Sequence, residues 1–428
     1  MSTARDKGCA VASNAQLSVA LLTGGADRPY VFGLATSLAA QGVALDLIGS
    51  DDLDFSEFHE TPNVRFLNLR GEQTPDAAFW RKMQRVTKYY VRLIRYAATA
   101  NPRIFHIVWN NKFEHVDRTL LMIYYRCLCK KVVFTAHNIN SRKRDGGDSW
   151  LNRLTLRFQY HLADHVFVHT ESMKKELVDD FDVPANRITV IPFGINNAVP
   201  NSAVSRTEAR AKLGCSQAER LILFFGNITP YKGLEFLVEA FRNLQSSNPG
   251  YRLIIAGRPC DCDKYWARIR HSMRQQIESG TISVRDEFIP DAETELYFKA
   301  ADVVVLPYVH VYQSGVLFLA YSFGLPVLAS NVGSLRVEIV EGRTGFVFQP
   351  SDPIDLLKAL QRYFDSDLYA NLSDRRFEIR ERALRRNSWT VASQLTAKIY
   401  SHLLQAAPLT TPVRDDISVA TFDTKSMS

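Results

Sequence analysis

The chain has 428 residues and is 46% hydrophobic, which is enough for about two to three domains with separate cores. Its six cysteines are too few for a disulfide scaffold, and neither Cys-x-Cys pair has zinc-finger spacing, so we expect a reducing compartment and no metal site. The net charge of +7 favours phosphates, nucleotides or acidic lipids as partners, and no recognition motif for nucleic acid accompanies it.

The sequence predicts neither a secretory signal nor a membrane span. The first residues lack the apolar core of a secretory signal, and no stretch of the sequence approaches the roughly 20 apolar residues of a membrane span. We therefore expect a cytoplasmic protein that is soluble or peripheral on the inner face of the plasma membrane. Residues 1–16 and 406–428 are predicted to be flexible.

Short apolar runs alternate with longer amphipathic stretches along the first half of the chain. The runs are continuous rather than alternating, which is typical of parallel strands covered by helices on both faces. The predicted strands are Leu17–Gly25, Arg103–Trp109, Lys131–His137, His165–Thr170 and Ile188–Gly194.

The same rhythm restarts after a polar stretch at residues 195–215. Its predicted strands are Leu221–Asn227, Arg252–Gly257, Asp302–Tyr308 and Pro326–Ser330. The repeat predicts an α/β protein with two doubly wound domains. The predicted segments are a flexible N-terminus (1–16), a first domain (17–200), a second domain (201–387), a helix that returns to the first domain (388–405) and a flexible tail (406–428).

Ligands of such sheets bind at the carboxyl ends of the strands, where glycine turns and helix N-termini offer free N–H groups. Gly24 and Gly25 follow the first strand, although they lack the Gly-x-Gly-x-x-Gly fingerprint and are equally compatible with a tight structural turn. In the second domain Gly226 ends a strand, and Lys232 precedes an amphipathic helix. A lysine in this place is suited to a diphosphate, whereas taken alone it could be a solvated surface residue.

Five segments in a fixed order carry a resemblance to a known family. They are "VIPFGIN" (190–196), "GNITPYKGLEFLVEAF" (226–241), "LYFKAADVVVLPY" (296–308), "SFGLPVLASNVGSLRVEIVEGRTGFVFQPSD" (322–352) and "SWTVASQLTAKIY" (388–400). Together they resemble the GT-B glycosyltransferases, in particular the retaining, nucleotide-sugar-dependent enzymes of family 4, over roughly residues 17–405. The resemblance implies two Rossmann-like domains that face each other across a cleft, with the acceptor on the first and the donor on the second.

The resemblance also assigns roles to residues that match the family's motifs. Lys232 matches the lysine that contacts the donor phosphates, and His137 matches a histidine near the donor sugar. Both are candidate catalytic residues, although His137 could instead be a buried, hydrogen-bonded histidine. Gly24 and Gly25 match the loop that approaches the donor from the first domain, and Gly226 belongs to the turns that close on the diphosphate.

The sequence departs from the family at three donor-side positions. Asn227 stands where an arginine is usual, and Arg258 is a candidate replacement unless it is a simple surface residue. Val311 and Leu319 stand where the family has two glutamates, the second of which holds the donor ribose. The remaining donor-site candidates are Tyr312, Gln313, Ser314, Gly315, Val316 and Glu338. Of these, Glu338 is alternatively a carboxylate that only favours the first turn of its helix.

The reaction implied by the resemblance is front-face attack, in which the acceptor hydroxyl approaches on the side that the nucleoside diphosphate leaves. No metal cofactor is expected, because lysine and helix N-termini supply the positive field. The predicted substrates are a nucleotide sugar and a glycan or lipid-linked acceptor in cell-surface polysaccharide or glycolipid synthesis. The three departures keep an alternative open, namely a catalytically weak relative that binds nucleotide sugars or glycans as a partner subunit.

The stretch "FWRKMQRVTKYYVRLIRY" predicts a cationic amphipathic helix. One face carries Phe79, Met83, Val86, Tyr90 and Leu93, and the opposite face carries Arg81, Arg85, Lys88, Arg92 and Arg95. Such a helix suits an acidic membrane surface, with Arg85, Lys88 and Arg92 as candidate membrane or acceptor contacts. The alternative is a helix that packs on the core and leaves its basic face in solvent.

Overall fold

The computed structural model describes residues 17–24, 27–73, 78–111, 113–144, 146–247 and 249–405. These residues form two parallel β-sheets, each covered by helices, and a C-terminal helix that packs on the first sheet's helices. The prediction of two doubly wound α/β domains is confirmed.

The first domain contains a seven-stranded sheet with the order β3-β2-β1-β4-β5-β6-β7, in which every strand pair is parallel. The strands are β1 (Ser18–Leu22), β2 (Ala44–Gly49), β3 (Val64–Asn68), β4 (Ile104–Ile107), β5 (Lys131–Thr135), β6 (His165–Val168) and β7 (Ile188–Val190). The apolar-run pattern predicts five of these strands and misses β2 and β3. The outermost, β3, is only half buried, so its sequence lacks the continuous apolar character of a central strand.

Two helix layers cover this sheet. The helices are α1 (Arg28–Ala40), α2 (Ser56–Glu60), α3 (Phe79–Thr99), α4 (Glu114–Val116), α5 (Met122–Cys127), α6 (Ser141–Arg144), α7 (Trp150–Leu162) and α8 (Glu171–Phe181), with a π-helical turn (Asp117–Leu121) between α4 and α5 and short 3₁₀ turns at Asp51–Leu53 and Ala185–Arg187. Apolar side chains of α1 and α2 pack on one face of the sheet. Those of α3, α5, α7 and α8 pack on the other.

The second domain contains a six-stranded parallel sheet with the order β10-β9-β8-β11-β12-β13. Its strands are β8 (Arg220–Phe225), β9 (Tyr251–Ala256), β10 (Ile282–Arg285), β11 (Val303–Leu306), β12 (Val327–Ser330) and β13 (Gly345–Phe348). Its helices are α9 (Arg206–Lys212), α10 (Leu234–Ser247), α11 (Asp263–Ser272), α12 (Arg274–Glu278), α13 (Asp291–Ala300), α14 (Gly315–Ser322), α15 (Leu335–Glu338), α16 (Pro353–Phe364), α17 (Asp367–Ala370) and α18 (Leu372–Arg386), with a 3₁₀ turn at Pro230–Lys232.

The last helix, α19 (Trp389–Gln405), leaves the second domain and packs against α1 of the first. The Trp389 indole N–H donates to the carbonyl of Ile195 in the inter-domain segment at 2.8 Å. The indole ring fills the space over Gly33 and Gly194, where a Cβ would lie 2.1 Å and 2.0 Å from the ring. The chain passes between the domains twice, after β7 and at the start of α19. Trp389 holds these two segments against each other and against the first domain.

Candidate active site

A cleft of about 580 Å³ lies between the two domains. The first domain contributes the start of α1 and the segment after β7, and the second contributes the turn after β8, Arg258, the start of α13 and the start of α14. Because parallel sheets direct their carboxyl ends to one edge, both domains present their loops to this cleft.

Glycine turns bring a lysine to the wall of the second domain. Gly226 has φ +93°, and a Cβ there would lie 3.1 Å from the Nζ atom of Lys232. Gly257 has φ +145°, and a Cβ there would lie 2.2 Å from the Gly226 carbonyl oxygen. Only glycine permits this close packing, which places a buried ammonium group directly over the turn.

Two further candidates lie in the same wall. Asn227 and Arg258 both line the cleft and are exposed to it. The turns that carry them are joined, because the Ile228 N–H donates to the Arg258 carbonyl at 2.8 Å. The structure therefore brings Asn227, Lys232 and Arg258 together at the ends of β8 and β9.

The start of α14 forms the neighbouring part of the wall. Gly315 and Val316 line the cleft, and so does Leu319 one turn later. Val311 is buried in the core of the second domain. The helix thus offers N-terminal N–H groups to the cleft but an apolar side chain where the family's second glutamate would stand.

Three other predicted donor residues do not line this cleft. The Tyr312 hydroxyl donates to the Glu176 carboxylate of α8 at 2.9 Å, so it forms a contact between the domains instead of lining the cleft wall. Ser314 is buried, and the Gln313 side-chain oxygen is buried without a hydrogen-bond partner among the described residues.

Glu338 is also placed elsewhere. It lies at the end of α15 beside α18, where its carboxylate is 3.6 Å from the Arg386 guanidinium. Burial raises the pKa of Glu338, and the charges of Arg386 and Arg382 oppose that shift. This carboxylate faces a small separate cavity of the second domain and does not line the cleft.

His137 lies just behind the cleft, at the end of β5. Its ring stacks on Trp109 at 4.1 Å and meets the edge of Tyr30, which lines the cleft, at 4.5 Å. Burial, with a smaller effect of His169, holds the pKa of His137 well below its usual range. The ring is therefore neutral, and its Nε2 atom is buried without a hydrogen-bond partner within the described part of the chain.

Of the two glycines in the loop after β1, the structure describes Gly24. Gly24 has φ +56°, and a Cβ there would lie 2.2 Å from the Trp109 carbonyl oxygen, so glycine is needed for packing of the loop after β1 against the one after β4. Gly25 lies outside the described residues.

Sequence reasoning missed the charged residues directly after those glycines. Arg28 forms an ion pair across the cleft with Asp291 at 3.5 Å. Asp27 is exposed within the cleft, yet atoms of both domains surround it, and this enclosure raises its pKa to about 6, with a further contribution from Asp291. The sequence signal for these residues is an Asp-Arg pair that lies between a glycine loop and a helix start.

Arg85, Lys88 and Arg92 lie on α3, on the outer side of the first domain, and none of them lines the cleft. Lys88 and Arg92 are exposed and Arg85 is half-buried. The apolar face assigned to this helix is divided, because Leu93 is buried whereas Phe79 is 68% exposed.

The described ranges contain neither a membrane-spanning helix nor a cluster of metal-ligating side chains. No helix there combines the length and apolar character needed to cross a bilayer. No three histidine, cysteine or acidic side chains in that part of the chain gather into a possible metal-binding group.

Comparison with known proteins connects both domains to glycosyltransferases. Residues 23–199 match the family model "Glycosyltransferase Family 4", and residues 219–366 match "Glycosyl transferases group 1". A D-inositol 3-phosphate glycosyltransferase of Corynebacterium glutamicum is 26% identical over 363 residues, which are 79% of this chain and 83% of that protein. The enzyme of the same name from Streptomyces avermitilis is 29% identical over 57% of this chain, and the aligned part spans only 53% of that relative.

Solved structures show the same fold. Sucrose-phosphate synthase from Thermosynechococcus elongatus matches with a TM-score of 0.72 at 20% identity, covering 91% of this chain and all of that one. Anabaena Alr3699/HepE, solved in complex with UDP and glucose, matches with a TM-score of 0.70 at 15% identity, covering 90% of this chain and all of that one. Two Rossmann-like domains that face each other across a cleft are therefore present as expected.

Proposed function

Because the chain belongs to family 4 of the GT-B glycosyltransferases, we propose that it transfers a sugar from a nucleotide-sugar donor to a glycan or lipid-linked acceptor, with retention of anomeric configuration. One observation carries this proposal. The buried Lys232 ammonium lies over the Gly226 turn, in the same cleft wall as Arg258 and the N-terminus of α14. This is a concentrated positive field of the kind that a departing diphosphate requires.

In the proposed reaction the donor diphosphate binds between the Gly226 turn and the start of α14. Lys232 and the first N–H groups of α14 stabilise the negative charge that grows as the sugar leaves. The acceptor hydroxyl attacks from the same face, and a leaving phosphate oxygen takes its proton. No metal is included, since this field supplies the positive charge.

The first domain completes the site in this proposal. His137 is neutral, so it would act as a hydrogen-bonding group toward a sugar hydroxyl rather than as a cation. Its Nε2 atom, which has no hydrogen-bond partner among the described residues, would make that bond.

The comparisons favour particular substrate classes without identifying them. The relatives are named for transfer to an inositol phosphate, and Alr3699/HepE is solved with UDP, so we propose a uridine-type donor and a hydroxylated, anionic acceptor. A role in cell-surface polysaccharide or glycolipid synthesis on the cytoplasmic side remains part of the same proposal.

The test is release of nucleoside diphosphate from a panel of sugar nucleotides, with and without candidate acceptors. We expect one donor to be turned over by the parent and about a hundredfold less by Lys232→Ala. The alternative, a non-catalytic partner subunit, is favoured by Leu319 in place of a glutamate. It predicts that the parent binds a sugar nucleotide in calorimetry but releases no diphosphate with any donor.

A further inference from the structure

The outer side of the first domain carries an unusual number of uncovered apolar side chains. Of the twenty exposed large hydrophobic residues among those described, thirteen lie on three neighbouring segments of one helix layer. We call this surface the outer apolar face. Its members are Phe79, Trp80, Met83, Val91 and Ile94 on α3, Phe113, Val116, Leu120 and Ile123 within residues 113–127, and Trp150, Leu151, Leu154 and Phe158 on α7.

The three segments are adjacent to one another. The Tyr124 hydroxyl of α5 donates to the Ile94 carbonyl of α3 at 3.1 Å. On the other side, Arg118 of the π-helical turn donates to the Asn152 side chain of α7 at 2.9 Å. Their inward side chains pack on the same face of the sheet, so the outward ones share a single surface.

On α3, the exposed apolar side chains are different residues from those that pack on the domain core. Its buried residues are Tyr89, Leu93 and Ala97. At 100° per residue, its five exposed apolar side chains occupy an arc of about 120° that adjoins the buried stripe, with Phe79 at the shared edge. The first turn projects furthest, with Trp80 80% exposed. The helix therefore has one apolar face for the domain and a second one that no described residue covers.

The charge of α3 indicates what covers this second face. The helix contains six basic residues and no acidic residue. Arg81, Lys88, Arg92 and Arg95 are exposed on the arc beyond the apolar one. A second copy of the chain would bring this charge against itself, whereas an acidic lipid surface neutralises it.

The exposed tryptophans agree with a bilayer as the covering partner. Trp80 on α3 and Trp150 on α7 are 80% and 76% exposed. Tryptophan favours the boundary between lipid headgroups and acyl chains, where its ring is apolar and its N–H stays hydrated. A cavity of about 420 Å³ extends from Trp150 and Leu154 to Glu176, the residue that binds Tyr312.

We infer that the outer apolar face docks on the surface of an anionic lipid bilayer, with α3 lying along the headgroups. The first domain then faces the membrane with its outer helix layer. Only the consequence for the acceptor, that it is lipid-linked, rests on the proposed function. The docking itself is a property of this surface.

The experiment measures co-sedimentation of the full chain with vesicles of phosphatidylglycerol and phosphatidylcholine, and with vesicles of phosphatidylcholine alone. One variant combines Trp80→Ser, Leu120→Ser and Trp150→Ser, and a second replaces Arg81, Lys88, Arg92 and Arg95 with glutamine. We expect the parent to bind anionic vesicles, and each variant to lose at least tenfold in partition coefficient. High salt should weaken vesicle binding by the parent, but it should not further weaken binding by the charge variant.

Matched controls lie on the second domain, where Phe377→Ser with Ile354→Ser removes exposed apolar side chains and Arg274→Gln with Arg385→Gln removes exposed charge. These controls should bind as the parent does, and unchanged melting temperatures will show that all variants fold. The inference is overturned if the parent does not bind anionic vesicles, or if the controls lose as much vesicle binding as the variants. It is also overturned if the variants change the oligomeric mass in sedimentation velocity but leave vesicle binding unchanged. Diphosphate release without vesicles tests the proposed function separately.

Discussion

The two domains share one architecture but differ in what they show to the cleft and to solvent. The second domain presents glycine turns with a buried lysine to the cleft, and its exposed large hydrophobic residues are scattered. The first domain presents an aspartate and a neutral histidine behind Tyr30, and its outer helix layer is apolar and basic. A doubly wound sheet fixes where loops converge, whereas the task of each wall depends on individual side chains.

The strongest test of this contrast is Lys232→Ala. If the charge of the second wall drives departure of the diphosphate, turnover should fall by about a hundredfold or more, because losing one such stabiliser costs roughly 3 kcal/mol. The measurement is diphosphate release under saturating donor. Lys264→Ala, an exposed lysine on α11, serves as the control and should be neutral. Near-parent turnover of Lys232→Ala would remove the lysine from the mechanism.

The glycine turns of the second domain can be tested through Gly233, which follows Lys232. It has φ +61°, and a Cβ there would lie 2.1 Å from the Pro307 carbonyl oxygen. Gly233→Ala should therefore lower the free energy of unfolding by more than the roughly 1–2 kcal/mol of a left-handed alanine, and should reduce turnover by displacing Lys232. Gly280→Ala is the matched control, since its φ is +76° and its Cβ meets nothing within 4 Å. Equal losses in urea unfolding would contradict the packing argument.

The aspartate in the first-domain wall of the cleft, Asp27, predicts a pH effect on stability. Its pKa is about 6 in the folded protein, above the roughly 3.9 of an unfolded aspartate, so folding favours the protonated form. Stability from this group is present at low pH and is lost as the pH rises from about 4 through about 6. Asp27→Asn should thus raise the melting temperature relative to the parent at pH 8 but much less at pH 4. Asp52→Asn is an exposed control, and a pH-independent difference for Asp27→Asn would refute the assignment.

Leu319 predicts weak recognition of the donor ribose by the second wall. Replacing the donor ribose with 2′-deoxyribose should weaken binding by appreciably less than the roughly 1.5–3 kcal/mol that is typical of losing a charged hydrogen bond. Leu319→Glu, at a position that lines the cleft, should increase that penalty. A large deoxy penalty in the parent, measured by calorimetry, would mean that another acid binds the ribose.

The smallest expected effect concerns the contact between the two domains. Tyr312→Phe removes the hydrogen bond to Glu176, which should weaken the contact between the domains by about 1 kcal/mol. Because the donor binds between the domains in the proposed reaction, we expect a modest increase in KM with little change in kcat. Tyr124→Phe removes a hydrogen bond within the first domain and should leave KM unchanged. The opposite pattern would show that the Tyr312 contact does not support donor binding.

The sequence by itself determined the central strands, the two-domain repeat and the family, and it singled out Lys232 as a candidate donor contact. Continuous apolar runs marked β1, β4 and β8 because strands covered on both faces need no alternation. The sequence pattern missed the edge strands β3, β10 and β13, since each is partly exposed and β3 and β10 also carry polar residues. Lys232 could be found because its motif is local, confined to one turn and the start of one helix.

Only the tertiary structure decided which surfaces meet. Arg28 and Asp291 are distant in sequence, and no local pattern predicts that the domains bring them to 3.5 Å. Tyr312 belongs to a donor-side motif, yet its hydroxyl binds the other domain. Periodicity along α3 shows that apolar side chains recur, but it does not tell which of two apolar faces a neighbouring element covers. Burial depends on packing between elements far apart in the chain, and that information is not local.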